Sequence, residues 1–343
     1  MKPLIQAASG QTPARVPVWF MRQAGRSLPE YLEIRGEGSI LNAISDPKRA
    51  AEITLQPTRR YDIDGAVLFS DIITPLWAMD AGIDIKPGVG PVTEKPFRSY
   101  DDLNRLRPLT AKDLWFQAET IDLILAEVDL PLIGFCGAPF TLATYLIEGK
   151  PSKNHSITKQ MMFAEPALFE DLCTKLTDIV ITSLQLQIES GASIVQLFDS
   201  WAGALHPNHY EQFVAPHSKR IIDTIKPTGV PIIHFGTGTS DLLQQIKDTG
   251  PDVVGVDWKT PLGKARAQLG DIGLQGNLDP CVCLGPWENV KAETDRILAE
   301  NNGHPGYIFN LGHGVLPATN PDILAQLADY VHEAGTNMLK SNE

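Results

Sequence analysis

Cysteine is scarce in this chain, with four residues in 343, at positions 136, 173, 281 and 283. Thiols this few and this scattered exclude a disulfide scaffold and suit a reducing compartment. Cys281 and Cys283 stand one residue apart, which is not the spacing of a structural zinc site, so they read as ordinary packed or partly exposed thiols. Positive charge is also in deficit. Lysine and arginine number 29 against 41 acidic residues, a net charge of -12, which excludes general affinity for nucleic acid or an anionic membrane. No apolar run approaches the roughly 18 residues that a membrane-spanning helix needs, and Met1-Lys-Pro-Leu-Ile-Gln-Ala-Ala-Ser-Gly10 has no apolar centre for a signal peptide. A cytoplasmic protein is expected. The phosphate-cradling Gly-x-x-x-x-Gly-Lys-Ser/Thr loop is missing, and the first glycine-containing turn does not spell a dinucleotide fingerprint. No pair of histidines stands one or two residues apart at a strand tip, so no metal is expected; His206 and His209 flank Pro207 at a helix start and read as capping or surface residues.

What the chain does hold is a series of short apolar runs, each stopping at a polar residue or glycine. They are Pro17 to Met21, Ala66 to Ser70, Leu132 to Cys136, Ser193 to Phe198, Pro231 to Phe235, Val253 to Val256, Ile272 to Gln275 and Tyr307 to Asn310. Continuous runs of this length read as strands buried on both faces, as in parallel sheets. Helical patterns lie between most of them. Ser45-Asp-Pro47 opens one, and Leu168, Leu172, Leu176 and Ile179 line the inner face of another that ends near Gly191. Ser240-Asp-Leu-Leu, Pro286-Trp-Glu-Asn and Asn320-Pro-Asp-Ile begin three more. About eight strand-helix units predict a (β/α)₈ TIM barrel, with an open doubly wound sheet as the main competitor. The connection from the second run to the third is long. Gly82 to Val92 alternates as a hairpin does, and a helix is expected around Leu114 to Glu127, so an extended excursion should lie over the mouth of the barrel or at its edge. With no linker, low-complexity tract or internal repeat, residues 1–343 read as one domain.

In such a barrel the residues just beyond each strand converge on one pocket. The first run ends in Arg22-Gln23-Ala24-Gly25-Arg26, two arginines four residues apart with a glycine between them. Planar guanidinium forks match carboxylate or phosphate bidentately and stay charged at any working pH. The later runs add Asp71, the segment Gly137 to Tyr145, then Asp199, Ser200 and Trp201, His234 and Gly236, Asp257 and Trp258, Asn277 and Asp279, and His313 between two glycines. The set offers cations, hydroxyls, histidines and one well-placed carboxylate, but no metal cage. Asp71 follows a wholly apolar strand; it either caps a helix that starts at Ile72 or awaits a ligand that donates hydrogen bonds.

Several of these segments resemble the uroporphyrinogen decarboxylase family. They are Pro17 to Arg26 with Leu28-Pro-Glu-Tyr31, Leu68-Phe-Ser-Asp71, Gly134 to Tyr145, Gln196 to Gly203, Gln275 to Pro280, and Phe309 to Gly314 with Pro317 to Pro321. The resemblance spans almost the whole chain. It implies a (β/α)₈ barrel, a homodimer, and removal of carbon dioxide from the four acetate side chains of uroporphyrinogen III to give coproporphyrinogen III, with no metal or organic cofactor. Matched motif to motif, Arg22, Gln23, Ala24, Gly25 and Arg26 would bind substrate carboxylates, and Asp71 would face the pyrrole nitrogens. Tyr145, Ser200 and His313 would contact propionate or acetate groups. Asp71, Arg22, Arg26 and Tyr145 are the catalytic candidates, and Tyr145 and His313 both stay open as proton donor. Ser27, Trp77 and Cys281-Val-Cys283 depart from the family pattern and bear on substrate fit rather than reaction class.

Two other readings compete. The related cobamide-dependent methyltransferases activate a thiol with zinc and would need a His-x-Cys pair at the fifth strand, where this chain has His234-Phe-Gly236. A non-catalytic tetrapyrrole carrier would keep the arginines, yet pure binding gives no clear reason for a carboxylate at position 71.

Overall fold

The computed structural model describes residues 1–36 and 38–341. Its centre is a curled sheet of seven parallel strands: β1 (Ala66–Val67), β4 (Leu132–Gly137), β5 (Ile194–Asp199), β6 (Ile232–Gly236), β7 (Val253–Gly255), β8 (Gly273–Leu278) and β9 (Tyr307–Leu311), paired in that order. An antiparallel hairpin of β2 (Ile83–Lys86) and β3 (Gly90–Thr93) stands apart from it. Seven of the eight apolar runs are therefore strands of one parallel sheet, and the hairpin lies where the alternation of residues 82–92 predicts it. The helix after the hairpin is Trp115–Glu127. Thr93 Oγ1 donates to the Tyr145 carbonyl at 3.0 Å, which ties the hairpin to the helix Pro139–Glu148.

The strands are buried on both faces because each face has its own apolar partner. One face carries Ile133, Phe135, Ile194, Phe198, Ile233, Phe235, Val253 and Ile308, which cluster with Trp19 and Met21. The other meets the surrounding helices through residues such as Val195, Leu197, Ile232, Val254, Leu274 and Phe309. Inside the first cluster, Trp19 donates to Gln275 at 3.0 Å and Gln275 donates to Gln196 at 2.9 Å, so polar groups sealed within the curl satisfy one another. Phe135, Phe198 and Phe235 stack edge to face, with centroids 5.5 and 5.8 Å apart. Each such pair adds about 0.5–1.5 kcal/mol beyond its buried area.

The first run, residues 17–21, differs from its prediction. It forms one parallel bridge, Val18 to Phe309, rather than a ladder. Pro17 has no N–H to offer, and the chain turns away at Arg22, so few backbone groups are free to pair. Even so, Phe309 N donates to Pro17 O at 2.9 Å and Asp64 N donates to Val18 O at 2.8 Å. Val18 thus lies between β9 and the chain entering β1, the two edges of the sheet.

Helix ends follow their local chemistry. Asp46 caps Pro47–Arg60 by accepting from Arg49 N at 3.2 Å. His206 caps Pro207–Phe213 through Nδ1, as its position beside Pro207 suggests. The helix expected from Ser240 begins at Leu243 instead. Among the described residues no helix is long and apolar enough to cross a membrane.

Candidate active site

The site grows from the turn after Met21. Met21 N donates to Asn310 Oδ1 at 3.0 Å and Val315 N donates to Met21 O at 2.8 Å, fixing the turn against the segment that follows β9. Arg22 and Arg26 then both take left-handed backbone conformations, φ 62° and 48°. A non-glycine residue there is held against an intrinsic preference. Gln23 shows what holds the turn: it is buried, its Oε1 accepts Phe20 N at 3.0 Å and its Nε2 donates to Gly65 O at 2.9 Å. Its side chain is spent inside the protein, so it would meet a ligand only through its backbone, as would Gly25.

The histidine flanked by glycines has a steric explanation. A Cβ on Gly314 would sit 2.5 Å from Arg22 Cδ, and one on Gly312 would sit 2.3 Å from Trp258 N. The His313 loop is pressed between Arg22 and Trp258, and only glycine fits on either side. This contact brings the first and last motifs of the chain together. Arg22 and burial act on His313 in the same direction: desolvation and then the neighbouring guanidinium lower its pKa to about 4, so the imidazole is neutral at pH 7.

Asp71 lies at the end of the chain leaving β1, partly open to solvent yet ringed by protein. Its Oδ1 accepts Ile73 N at 3.1 Å, its backbone N donates to Thr74 Oγ1 at 3.1 Å, and Ser70 and Gln117 extend this network. The expected helix from Ile72 begins at Thr74 instead, with Ile73 at its N-cap position, so Asp71 caps the turn before that helix rather than the helix itself. Burial raises its pKa, while the Ile73 N–H and the charge of Arg22 pull the other way. Tyr145, on the helix Pro139–Glu148, is pushed up to about 12, by burial first and by the Asp71 charge second, with Trp201 and Arg22 opposing. Its ring meets the Trp201 indole edge-on at 6.0 Å. Arg22, Asp71, Tyr145 and His313 thus share one electrostatic neighbourhood.

Ser200 and His313 line a cavity of about 370 Å³ together with Lys153, His155, Trp201, Trp258 and Lys259. No carboxylate is among its lining residues, on a chain whose net charge is -12. Lys259 lies over the Trp258 ring at 5.4 Å. The lysines and His155 are additions that the strand-end reading did not supply. The only hint of them in the sequence is that Lys259 follows Trp258 and that Lys153 stands in the loop after the Tyr145 helix. Among the described residues Arg22 and Arg26 have no hydrogen-bonding or ion-pair partner, whereas every other arginine donates to a carboxylate or a carbonyl, as Arg15, Arg59, Arg98, Arg107 and Arg266 do.

The remaining strand-end residues hold loops. Asp257 accepts from Gly238 N and from Lys259 N, Asn277 donates to the Asp257 and Thr260 carbonyls, and Asp279 accepts from Cys281 N. His234 is fully buried with Nδ1 against Thr249 Oγ1 at 3.2 Å, and among the described residues no three of His, Cys, Asp and Glu gather as metal ligands would. All four cysteines are free, and burial raises Cys136 to about 12.

Several known proteins are similar. A methyltransferase from Methanosarcina mazei has a matching fold, TM-score 0.80 over 96% of this chain and 97% of its own, at 18% identity. A B12-independent methionine synthase from Shewanella sp. matches at TM-score 0.58 and 12% identity, over 96% of each chain. These likenesses speak to the fold alone. Sequence relatives are far nearer. Proteins named uroporphyrinogen decarboxylase from Streptomyces avermitilis, Streptomyces coelicolor and Salinispora tropica are 51%, 50% and 47% identical, covering 96%, 97% and 96% of this chain and 93%, 94% and 90% of theirs. The family description "Uroporphyrinogen decarboxylase (URO-D)" fits residues 1–334. With the motif residues gathered as described and identity near one half across its length, the chain belongs to the uroporphyrinogen decarboxylase family.

Proposed function

We propose that the protein decarboxylates the four acetate side chains of uroporphyrinogen III to give coproporphyrinogen III, at the mouth described above. The observation that carries this reading is the charge pattern: Arg22 and Arg26 without partners among the described residues, a cavity beside the His313 loop lined by lysines and no carboxylate, and the carboxylate Asp71 close enough to Arg22 and Tyr145 to share their electrostatics. A porphyrinogen has the opposite pattern, N–H donors at its centre and carboxylates at its rim.

Each residue then has a physical role. Arg22 and Arg26 grip rim carboxylates, with the backbone of Gln23, Ala24 and Gly25 close by, and Ser200 and His313 take further carboxylates as donors. Protonation of the pyrrole ring carbon creates a cation that accepts the electron pair released as carbon dioxide leaves, giving an exocyclic methylene. Protonation of that methylene and loss of the ring proton then leave a methyl group, so one proton is consumed overall, the substrate serves as its own electron sink and no cofactor is required. Asp71 accepts from the pyrrole N–H groups and stabilises that cation, a preorganised charge placed where positive charge develops. Tyr145 keeps its proton at pH 7 and is the candidate donor in the first protonation, although its raised pKa makes it a weaker acid than a free tyrosine, and a neutral His313 is suited to donate a hydrogen bond rather than a proton.

The same reading takes the chain as one domain whose Pro17 to Met21 run supplies the eighth strand of a (β/α)₈ barrel, with the β1-to-β4 segment as an excursion at its mouth. It also takes the protein as a cytoplasmic homodimer. The test is anaerobic incubation of purified protein with uroporphyrinogen III, with oxidised products separated by carboxylate number. Stepwise conversion from eight carboxylates to four is expected. Tight binding with no loss of carbon dioxide would replace the decarboxylase with a carrier.

A further inference from the structure

Asp199 is fully buried, and its position serves no evident need of the core. Its Oδ1 accepts Thr141 Oγ1 at 3.0 Å, while its Oδ2 has no hydrogen-bond partner and lies 3.9 Å from His234 Nε2, which has none either. The Thr249 hydroxyl donates to Ile246 O at 2.6 Å and lies 3.2 Å from His234 Nδ1. A carboxylate held this dry with a single hydrogen bond costs stability, and such a group persists where it holds something in place.

What it holds is defined by Thr141. That hydroxyl donates to Asp199 and accepts from Trp201 N at 3.3 Å. Thr141 stands one helical turn before Tyr145 on the same helix, and Trp201 follows Ser200 and meets the Tyr145 ring edge-on. One hydroxyl therefore joins three things: the end of β5, the helix that carries Tyr145, and the turn that carries Ser200. Thr237 Oγ1 fixes that turn from its far side by donating to Ser200 O at 2.6 Å.

We infer that Asp199 and Thr141 are positioning residues for the decarboxylation: they touch no substrate and set the distance between Tyr145 and Ser200 through the Trp201 turn. The inference rests on the proposed reaction and refines it.

Two measurements on the full-length protein test it. Thr141→Val removes the hydroxyl at constant volume, and Thr141→Ser keeps it. In Thr141→Val, hydrogen exchange of the 200–204 segment should rise at least tenfold and kcat for uroporphyrinogen III should fall at least tenfold, with KM changed less than about threefold. Thr141→Ser should restore both. A purely structural threonine would instead give both variants a lower thermal midpoint with turnover per folded molecule unchanged, and that result overturns the inference. Exchange in Thr141→Val equal to wild type also overturns it, because the tether would then not exist. Failure of the wild-type protein to release carbon dioxide would refute the proposed reaction, and with it any role of this tether in catalysis.

Discussion

Replacing Asp71 by asparagine separates its two duties. The amide oxygen can still accept Ile73 N, now 3.1 Å away, so the turn and the helix Thr74–Ala78 should survive. The charge is lost. A pyrrolic N–H bonded to the carboxylate puts developing positive charge about 4 Å from it, and at an effective dielectric of about 20 that attraction is about 4 kcal/mol. The amide dipole keeps part of it, leaving a loss of about 2–4 kcal/mol, which corresponds to a fall of roughly 30- to 1000-fold in kcat. Stability should move the opposite way. Burial raises the folded-state pKa of Asp71 above its ordinary value, so its contribution to stability is present below that ordinary value and is lost as pH rises through the folded one. At pH 7 the ionised carboxylate costs stability, and Asp71→Asn should melt no lower than wild type. The assay is anaerobic turnover of uroporphyrinogen III by carboxylate number, with the thermal midpoint beside it. The pH profile adds an independent check, since loss of ionised Asp71 should draw kcat down on the acid side. Arg22→Gln removes a charge that lowers the Asp71 pKa, so that limb should shift to higher pH. Turnover of Asp71→Asn within threefold of wild type, in folded protein, would refute the electrostatic role.

Other expectations follow from the same geometry. Lys153→Glu with Lys259→Glu places anions on the wall of the carboxylate-free cavity; KM should rise about tenfold at low salt, with the difference narrowing as ionic strength rises, in steady-state kinetics. His313 has its pKa lowered to about 4 by burial and by Arg22, so its ring resonances should stay constant from pH 8 to about 5.5 in NMR. A depressed histidine pKa contributes stability above the ordinary value near 6.5 that is lost as pH falls toward 4, and His313→Gln should flatten that part of the pH–stability curve. His332 sits between Asp62 at 3.1 Å and the buried Asp64 at 2.8 Å, and Arg15 completes the cluster. His332→Ala should cost about 1–3 kcal/mol in denaturant unfolding, by leaving Asp64 with a partner fewer, and should leave KM unchanged at a temperature where the protein stays folded.

The residues at the strand ends could be read from the sequence because a parallel sheet gives every strand the same polarity. Position after an apolar run is then position at the mouth. That logic listed Arg22, Asp71, Ser200, His313 and the segment ending at Tyr145, and with them Asp199, His234, Asp257, Asn277 and Asp279, which the structure ties to core and loop contacts. It could not reach Lys153, which lies in a loop between helices where no periodicity fixes a location, nor tell that Gln23 turns inward to hold Phe20 and Gly65. The left-handed backbone at Arg22 and Arg26 was also hidden, because nothing in a side chain's identity announces a conformation it disfavours. The first run failed to ladder for a reason that was visible in retrospect: Pro17 removes a donor and Arg22 ends the strand early. Thr141 and Asp199 were within quoted segments, but their bond joins residues 58 positions apart and exists only once the sheet has formed.

The charges at the mouth also bear on the choice between enzyme and carrier. A carrier for a polyanion needs the arginines and lysines, and it gains nothing from Asp71, whose charge would repel the ligand's carboxylates and whose burial already disfavours ionisation. The cost is offset only if donors reach the carboxylate when the ligand is bound, and it is returned as rate only if those donors become more positive during the reaction. On the proposed reaction Asp71 would meet both conditions with a pyrrolic macrocycle that is protonated on carbon, and the first alone with one that is merely held. Under the proposed function a destabilised carboxylate amid unpaired cations is therefore an arrangement for the transition state rather than for the resting ligand.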